Sequence, residues 1–324
     1  MEDLYQPHDK FIKVLLGQPE TATIFFQERL PGPLVERLRL DKVESVEGTF
    51  LDEHLRGHFS DRLFRVATLQ EEEAYVYSLM EHKSWYDPWE PLQLLTNMVH
   101  LFNWLKQGSR RKLPLVVGIL IHHGASPWKG ENQFSPLVNA NGDLAPYVVD
   151  FRFVLVDLGP IPDQEISKDS RLRSGLLALK YAFRTEEQRR ILFEIAKDLV
   201  DLPREYVLQI LRYLIQVYDA LDEPIIHEVV HKARGKEADE MASIFAREMI
   251  AKGVQQGIQL GVQQGVQQGE ARVLLRRLAK LSGGVVPLWV QEKVNGADLA
   301  TLERWNDLVD DARTLEDVFG PSLH

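Results

Sequence analysis

Cysteine is absent from all 324 residues, which excludes disulfides and thiolate metal sites and fits a reducing compartment. Long apolar runs are missing as well. No stretch approaches the roughly 18 apolar residues that a membrane-spanning helix requires. The opening MEDLYQPHDK lacks the basic-then-apolar pattern of a secretory leader. These absences point to a soluble, cytoplasmic protein with no membrane partner. Basic charge is also in deficit, since 48 acidic against 38 basic residues leave a net charge of −10. Proteins that hold nucleic acid by neutralising phosphates tend to be basic, so such a partner would have to be met along a local basic path. The remaining composition is ordinary globular material, 44% hydrophobic and 27% charged, with enough apolar mass for a core. The length suggests two or three folding units.

Periodicity organises the first two thirds as α/β. The segment from Asp9 to about Leu30 carries apolar residues at helical intervals and ends at Pro31 and Pro33. From Lys42 to Leu69 the pattern turns to strands, and after the polar QEEE the stretch AYVYSLMEHKS reads as another. A helix is expected from Trp89, with Leu94, Met98, Leu101, Phe102 and Leu105 on one face. The continuous apolar run Leu113 to His123 reads as a buried central strand. Tyr147 to Leu158 reads as a further strand, and Ser170 to about Glu223 as helix. The expected architecture is a sheet of at least four strands between helices. Glycines at 253, 257, 261, 265 and 269 lie along one slowly rotating helical stripe. Each costs roughly 1 kcal/mol against Ala in a helix, so the repeat is either a close helix–helix contact or a partly frayed connector. A small helical module is expected from Ala271 to Phe319.

The chemistry-bearing residues cluster at the first two long strands. A hairpin turning near Glu71 and Glu72 would set Asp61 opposite position 82, between Glu81 and Lys83. Two carboxylates and an ammonium at one sheet end suit phosphodiester hydrolysis. The carboxylates offer hard oxygen ligands for Mg²⁺, the backbone carbonyl of His82 offers another, and Lys83 can offset charge developing on phosphate oxygens. Spacing alone leaves a second interpretation open, a solvated Glu–Lys pair with a neighbouring Asp, worth about 0–1 kcal/mol. A one-residue slip in register would turn Asp61 to the other face.

Four blocks, HDKFIKVLL, GTFLDEHLRGHFSDRLFRV, YVYSLMEHKS and LPLVVGILIHHGASPW, resemble in order the recombination-promoting nucleases of the Rpn family, also grouped with YhgA-like transposases. The resemblance runs from about His8 to Asp163. It implies a restriction-endonuclease-like core of the PD-(D/E)xK class, a mixed sheet flanked by helices. Asp61 would then be the acidic residue of the SD dipeptide, and Glu81 and Lys83 the ExK element. His8–Asp9 matches the family's early HD, and Asp157 its late VD. The implied activity is a Mg²⁺-dependent endonuclease on DNA, with Mn²⁺ as a substitute, little sequence preference and a context of recombination or mobile elements. One departure stands out, Thr96–Asn97 where relatives often carry Arg or Lys followed by Tyr. The expected division is a nuclease-like domain with helical extension over 1–225, a helical connector over 226–270 and a small helical domain over 271–324. A homo-oligomer, a dimer through the C-terminal helices, is the expected assembly. The rival expectation is a catalytically weak DNA- or protein-binding regulator that assembles through the same helices.

Other residues take subordinate roles. Adjacent strand positions face opposite ways, so His122 and His123 are not expected to share one metal. Asp9 is expected as a helix N-cap. Glu47, Asp157 and, as an alternative to its capping role, Asp9 are accessory candidates for the metal shell, with Asp157 at a strand end where α/β proteins place functional groups. Arg110, Arg111 and Lys112 form the clearest basic cluster, most simply a solvated loop.

Overall fold

A computed structural model describes residues 7–46, 62–70, 72–81, 86–106, 111–140, 142–219, 221–235 and 238–320. The chain divides into two compact units, Met1–Glu248 and Met249–His324.

In the first unit the described residues form a five-stranded sheet in the order β1-β2-β3-β4-β5. The strands are β1 (Glu44–Val46), β2 (Arg62–Ala67), β3 (Glu73–Glu81), β4 (Leu115–His122) and β5 (Val154–Asp157). The first three run antiparallel, and β3, β4 and β5 run parallel. The parallel half needs crossovers, and the first is the helix α4 (Glu90–Leu105). Its residues Leu94, Met98, Leu101 and Leu105 recur at helical spacing and are buried together against Leu63, Tyr75, Tyr77, Val116 and Leu120 of the sheet. Gly118 permits this close approach, because a Cβ there would stand 3.1 Å from Leu94 Cδ2 and 3.3 Å from Met98 Sδ.

The opposite face is covered by α1 (Pro7–Leu15), α2 (Pro19–Arg29), which the single turn α3 (Gly32–Val35) follows, and α5 (Ser170–Lys180). Phe26 of α2 meets Phe64 of β2 edge to face at 5.0 Å, and both are fully buried. Each such phenyl ring contributes about 1.5–3 kcal/mol by leaving water. With both faces covered, β4 is apolar from Leu115 to Ile121, which is why its run of residues is continuous rather than alternating. Three more helices, α6 (Thr185–Asp198), α7 (Arg204–Val217) and α8 (Glu223–Arg234), pack against α1, α5 and one another.

Four expectations need correction. The N-terminal helix is two helices, broken at Leu16–Gln18, with Pro19 opening α2 where its missing N–H costs nothing. Asp9 is not an N-cap, since α1 begins at Pro7 and Asp9 is buried within its first turn. The β2–β3 register is shifted by three positions from the expected one. Arg62 pairs with Ser78, where the expected register set it against Glu81. The hairpin is closed by Thr68 N donating to Glu72 O at 2.8 Å, and of the acidic run Glu73 is the first residue of β3. Tyr147–Phe153 is not strand. Gly142–Tyr147 is a 3₁₀ turn with Pro146 inside it, and Phe151 and Phe153 bond back to Phe134 and Asn132.

The helix α9 (Ala238–Leu281) carries the Gly–Gln repeat, so the segment is helical. Val254, Ile258, Val262 and Val266 along it are exposed. In the second unit Leu274 and Leu278 of α9 form a core with Val290 and Val294 of α10 (Leu288–Asn295) and Leu302 and Trp305 of α11 (Leu299–Leu308), joined by Val318 of α12 (Leu315–Phe319). No helix is long and apolar enough to cross a membrane among the described residues.

Candidate functional site

Three parallel strands end side by side at one edge of the sheet. Glu81, the last residue of β3, is the register partner of His122 in β4, and His122 is the partner of Asp157, the last residue of β5. Neighbouring strands lie about 4.8 Å apart, so the three residues stand in one row. The alternation of side chains settles which face His122 occupies. Gly118 and Leu120 face α4, so His122 does too.

Loops from the same edge fix the two described side chains of this row. Asp157 accepts the backbone N–H of Trp128 at 2.8 Å through Oδ2 and that of Gly159 at 3.1 Å through Oδ1. His122 is fully buried. Its Nε2 lies 2.9 Å from the carbonyl of Ser126, which can only accept, so Nε2 carries a proton and, in the neutral ring, Nδ1 presents the lone pair. That Nδ1 is buried with no hydrogen-bond partner among the described residues, as is the indole N–H of Trp128. The Trp128 ring stands edge-on to His122 at 5.6 Å and to Tyr86 at 4.8 Å. Gly130 makes room for this stack, since a Cβ there would come 2.8 Å from the Tyr86 hydroxyl.

Across the sheet His123 takes the other side, as strand alternation requires. Its Nδ1 bonds the Leu179 carbonyl of α5 at 3.1 Å, and its ring lies 4.9 Å from His8 and 5.2 Å from Phe183. Burial, then the neighbouring His8, push this imidazole well below its ordinary value of 6.5. His8 in turn bonds the Tyr213 hydroxyl at 2.7 Å.

Of the residues expected from sequence, Asp61, His82, Lys83, Glu47 and Arg110 lie outside the described residues, as does the side chain of Glu81. Glu81 and Asp157 are brought into one row. Asp9 is in α1, next to His8. Arg111 and Lys112 are exposed, and of the pair Thr96–Asn97 only Asn97 is buried. Among the described residues no three His, Asp or Glu side chains converge as a metal site. Sequence reasoning passed over Trp128 and the buried Glu90 in the first turn of α4. The aromatic and Gly content of GASPWKG after a central strand was the available signal for Trp128.

A family profile described as "Putative transposase, YhgA-like" matches residues 6–206. The chain is similar to recombination-promoting nuclease RpnD of Escherichia coli O157:H7, 33% identical over 172 residues, covering 51% of this chain and 64% of the relative. Recombination-promoting nuclease RpnC of Escherichia coli (strain K12) is 30% identical over 196 residues, covering 60% and 64%. A third relative, the inactive recombination-promoting nuclease-like protein RpnE of the same strain, is 29% identical over 167 residues, covering 51% and 55%. The chain thus spans less than two thirds of the length of these relatives. No solved structure matches.

Proposed function

The chain belongs to the YhgA-like family, and from that premise we propose that it is a metal-dependent endonuclease that hydrolyses DNA phosphodiester bonds with little sequence preference, in recombination or mobile-element processes. One observation carries the reading. A segment similar to recombination-promoting nucleases folds as a sheet whose parallel strands bring Glu81 and Asp157 to one edge. In this reading Asp61, Glu81 and the His82 carbonyl hold Mg²⁺, with Mn²⁺ as a substitute, and the hard oxygen donors fit such ions. When bound, the ion supplies a Lewis acid for the phosphoryl oxygens and lowers the pKa of a water. Lys83 sets its ammonium beside the attacking water and offsets charge on the non-bridging oxygens. Asp157 is an accessory carboxylate, oriented by its two backbone N–H donors. Glu47 is a further accessory candidate for the shell, whereas Asp9 sits in α1 beside His8, over the opposite face of the sheet. A second copy of the chain, meeting through the C-terminal helices, would provide the second cut in a duplex.

The test is plasmid nicking by the purified chain with Mg²⁺, with EDTA, and with Asp61→Ala in parallel. Nicking that needs metal and disappears in the variant supports the reading. Wild type that cuts no better than Asp61→Ala in either Mg²⁺ or Mn²⁺ refutes it. A second reading, a regulator that binds DNA or protein without cutting, is favoured by the net charge of −10 and by a relative named as inactive. DNA retention without nicking would select it.

A further inference from the structure

We propose that His122 is a nitrogen ligand of this metal site, through Nδ1, and that the site therefore takes a transition divalent cation such as Mn²⁺ in preference to Mg²⁺. The inference rests on the nuclease reading for the position of the metal and adds a ligand and a cation preference to it.

Placement is the first support. His122 stands between Glu81 and Asp157 in the row at the strand ends, on the face that α4 covers. The second support is its hydrogen-bond state. Nε2–H is committed to the Ser126 carbonyl, and Nδ1 is left buried without a partner. A buried acceptor with no donor is destabilising, and such a group in a native fold calls for an occupant. The third support is the shell behind the ring. Metal-bound imidazoles donate their other N–H to a backbone carbonyl or carboxylate, which fixes tautomer and orientation. Nε2–H on Ser126 O is that arrangement, and the two N–H groups on Asp157 hold its carboxylate in the same manner. His123 also has a bare, buried Nε2, but its ring is enclosed by His8 and Phe183 on the opposite face. The indole N–H of Trp128 is a donor only and cannot ligate a cation.

Ligand type sets the preference. An all-oxygen shell suits Mg²⁺, which demands near-ideal octahedral geometry and keeps its waters. An imidazole nitrogen shifts affinity along the first-row series, away from Mg²⁺.

Electron paramagnetic resonance of Mn²⁺ with the full chain tests this without reference to activity. Loss of the free-ion signal gives the affinity, and pulsed spectra report coupling to ¹⁴N. Wild type is expected to show ¹⁴N coupling and to release Mn²⁺ only to Mg²⁺ in more than about tenfold excess. His122→Gln keeps an N–H for the Ser126 carbonyl but removes the lone pair. It should lose the coupling and weaken Mn²⁺ binding by about 10–100-fold. His122→Asn can present an oxygen near the Nδ1 position and should restore binding without the nitrogen signal, with the preference moved toward Mg²⁺. Circular dichroism matching wild type establishes that each variant is folded. Mn²⁺ bound with no nitrogen coupling, or bound equally well by His122→Gln, overturns the assignment. If metal-dependent nicking that requires Asp61 accompanies that result, the nuclease reading stands and only His122 is lost. Absence of any Mn²⁺ or Mg²⁺ binding ends both.

Discussion

Replacing Asp163 with Ala should destabilise the first unit by about 3 kcal/mol. Asp163 follows β5 and accepts from Lys180 Nζ at 2.8 Å, from the Tyr181 hydroxyl at 2.9 and 3.0 Å, and from Arg190 Nη2 at 3.3 Å. The arms are unequal. The Arg190 side chain is 54% exposed, and such a pair contributes about 0–1 kcal/mol. Lys180 is 8% exposed and Asp163 19%. Removing the carboxylate strands a buried ammonium, for which losses of about 3–5 kcal/mol are usual. The Ile161 carbonyl, 2.6 Å from Lys180 Nζ, remains as a partial partner, which places the expected loss at the low end. For a unit of this size about 3 kcal/mol corresponds to a fall of roughly 6–12 °C in Tm. Urea unfolding of the full chain followed by far-UV circular dichroism reads the change. Lys180→Met closes a double-mutant cycle. Because it removes the stranded charge, the double variant should regain about 1–3 kcal/mol relative to the two losses added. A loss below about 1 kcal/mol for Asp163→Ala, or losses that simply add, would refute the view that the carboxylate holds this ammonium in place.

The same network sets a pH dependence. Burial raises the Asp163 carboxyl, but the bonds from Lys180 and Tyr181 outweigh it and leave it below its usual value. Its contribution is therefore present above the unfolded carboxylate pKa and lost as pH falls through the folded one. Tyr181 is pushed up to about 12, by burial first and then by its bond to Asp163, so stability should decline between pH about 10 and about 12, measurable as a falling urea midpoint. His123, depressed by burial, is neutral when folded. Stability should drop as pH falls below about 6.5, where the unfolded imidazole takes a proton first, and His123→Gln should flatten that slope in a pH series of urea midpoints. Gly118→Ala should cost about 1–3 kcal/mol by overpacking α4 against β4, a loss that chemical denaturation would detect and that a neutral result would contradict.

Much of the architecture is legible in sequence where burial imposes one period. Leu94, Met98, Leu101 and Leu105 mark α4 because one helical face meets the sheet. The apolar run of β4 is visible because both of its faces are covered. Elsewhere the local pattern is overruled by pairing. QEEE looks like a turn, yet Glu73 belongs to β3, where Arg65, paired with Glu44 and lying diagonally 4.0 Å from the Glu73 carboxylate, makes acidic residues acceptable on strands. YVVDFRF alternates like a strand, but its backbone bonds go to Asn132 and Phe134 rather than to the sheet. The candidate site divides in the same way. The type and spacing of Asp61, Glu81 and Lys83 could be read directly. That Glu81, His122 and Asp157 share a row could not, because parallel register between distant strands leaves no mark on periodicity.

The strand order has a temporal consequence. Each strand of this sheet lies beside the one made immediately before it, so no pairing waits for a segment synthesised much later. A chain leaving the ribosome can add strands one at a time, from the short antiparallel edge toward the parallel half. The two crossovers, through α4 and through the long loop that carries Trp128, are the longest connections on that route. The edge bearing Glu81 is then finished last. Until β5 docks, Asp157 is missing and the loop that positions it has nothing to close on. Assembly of this edge is in this way deferred until the four earlier strands already stand beside it.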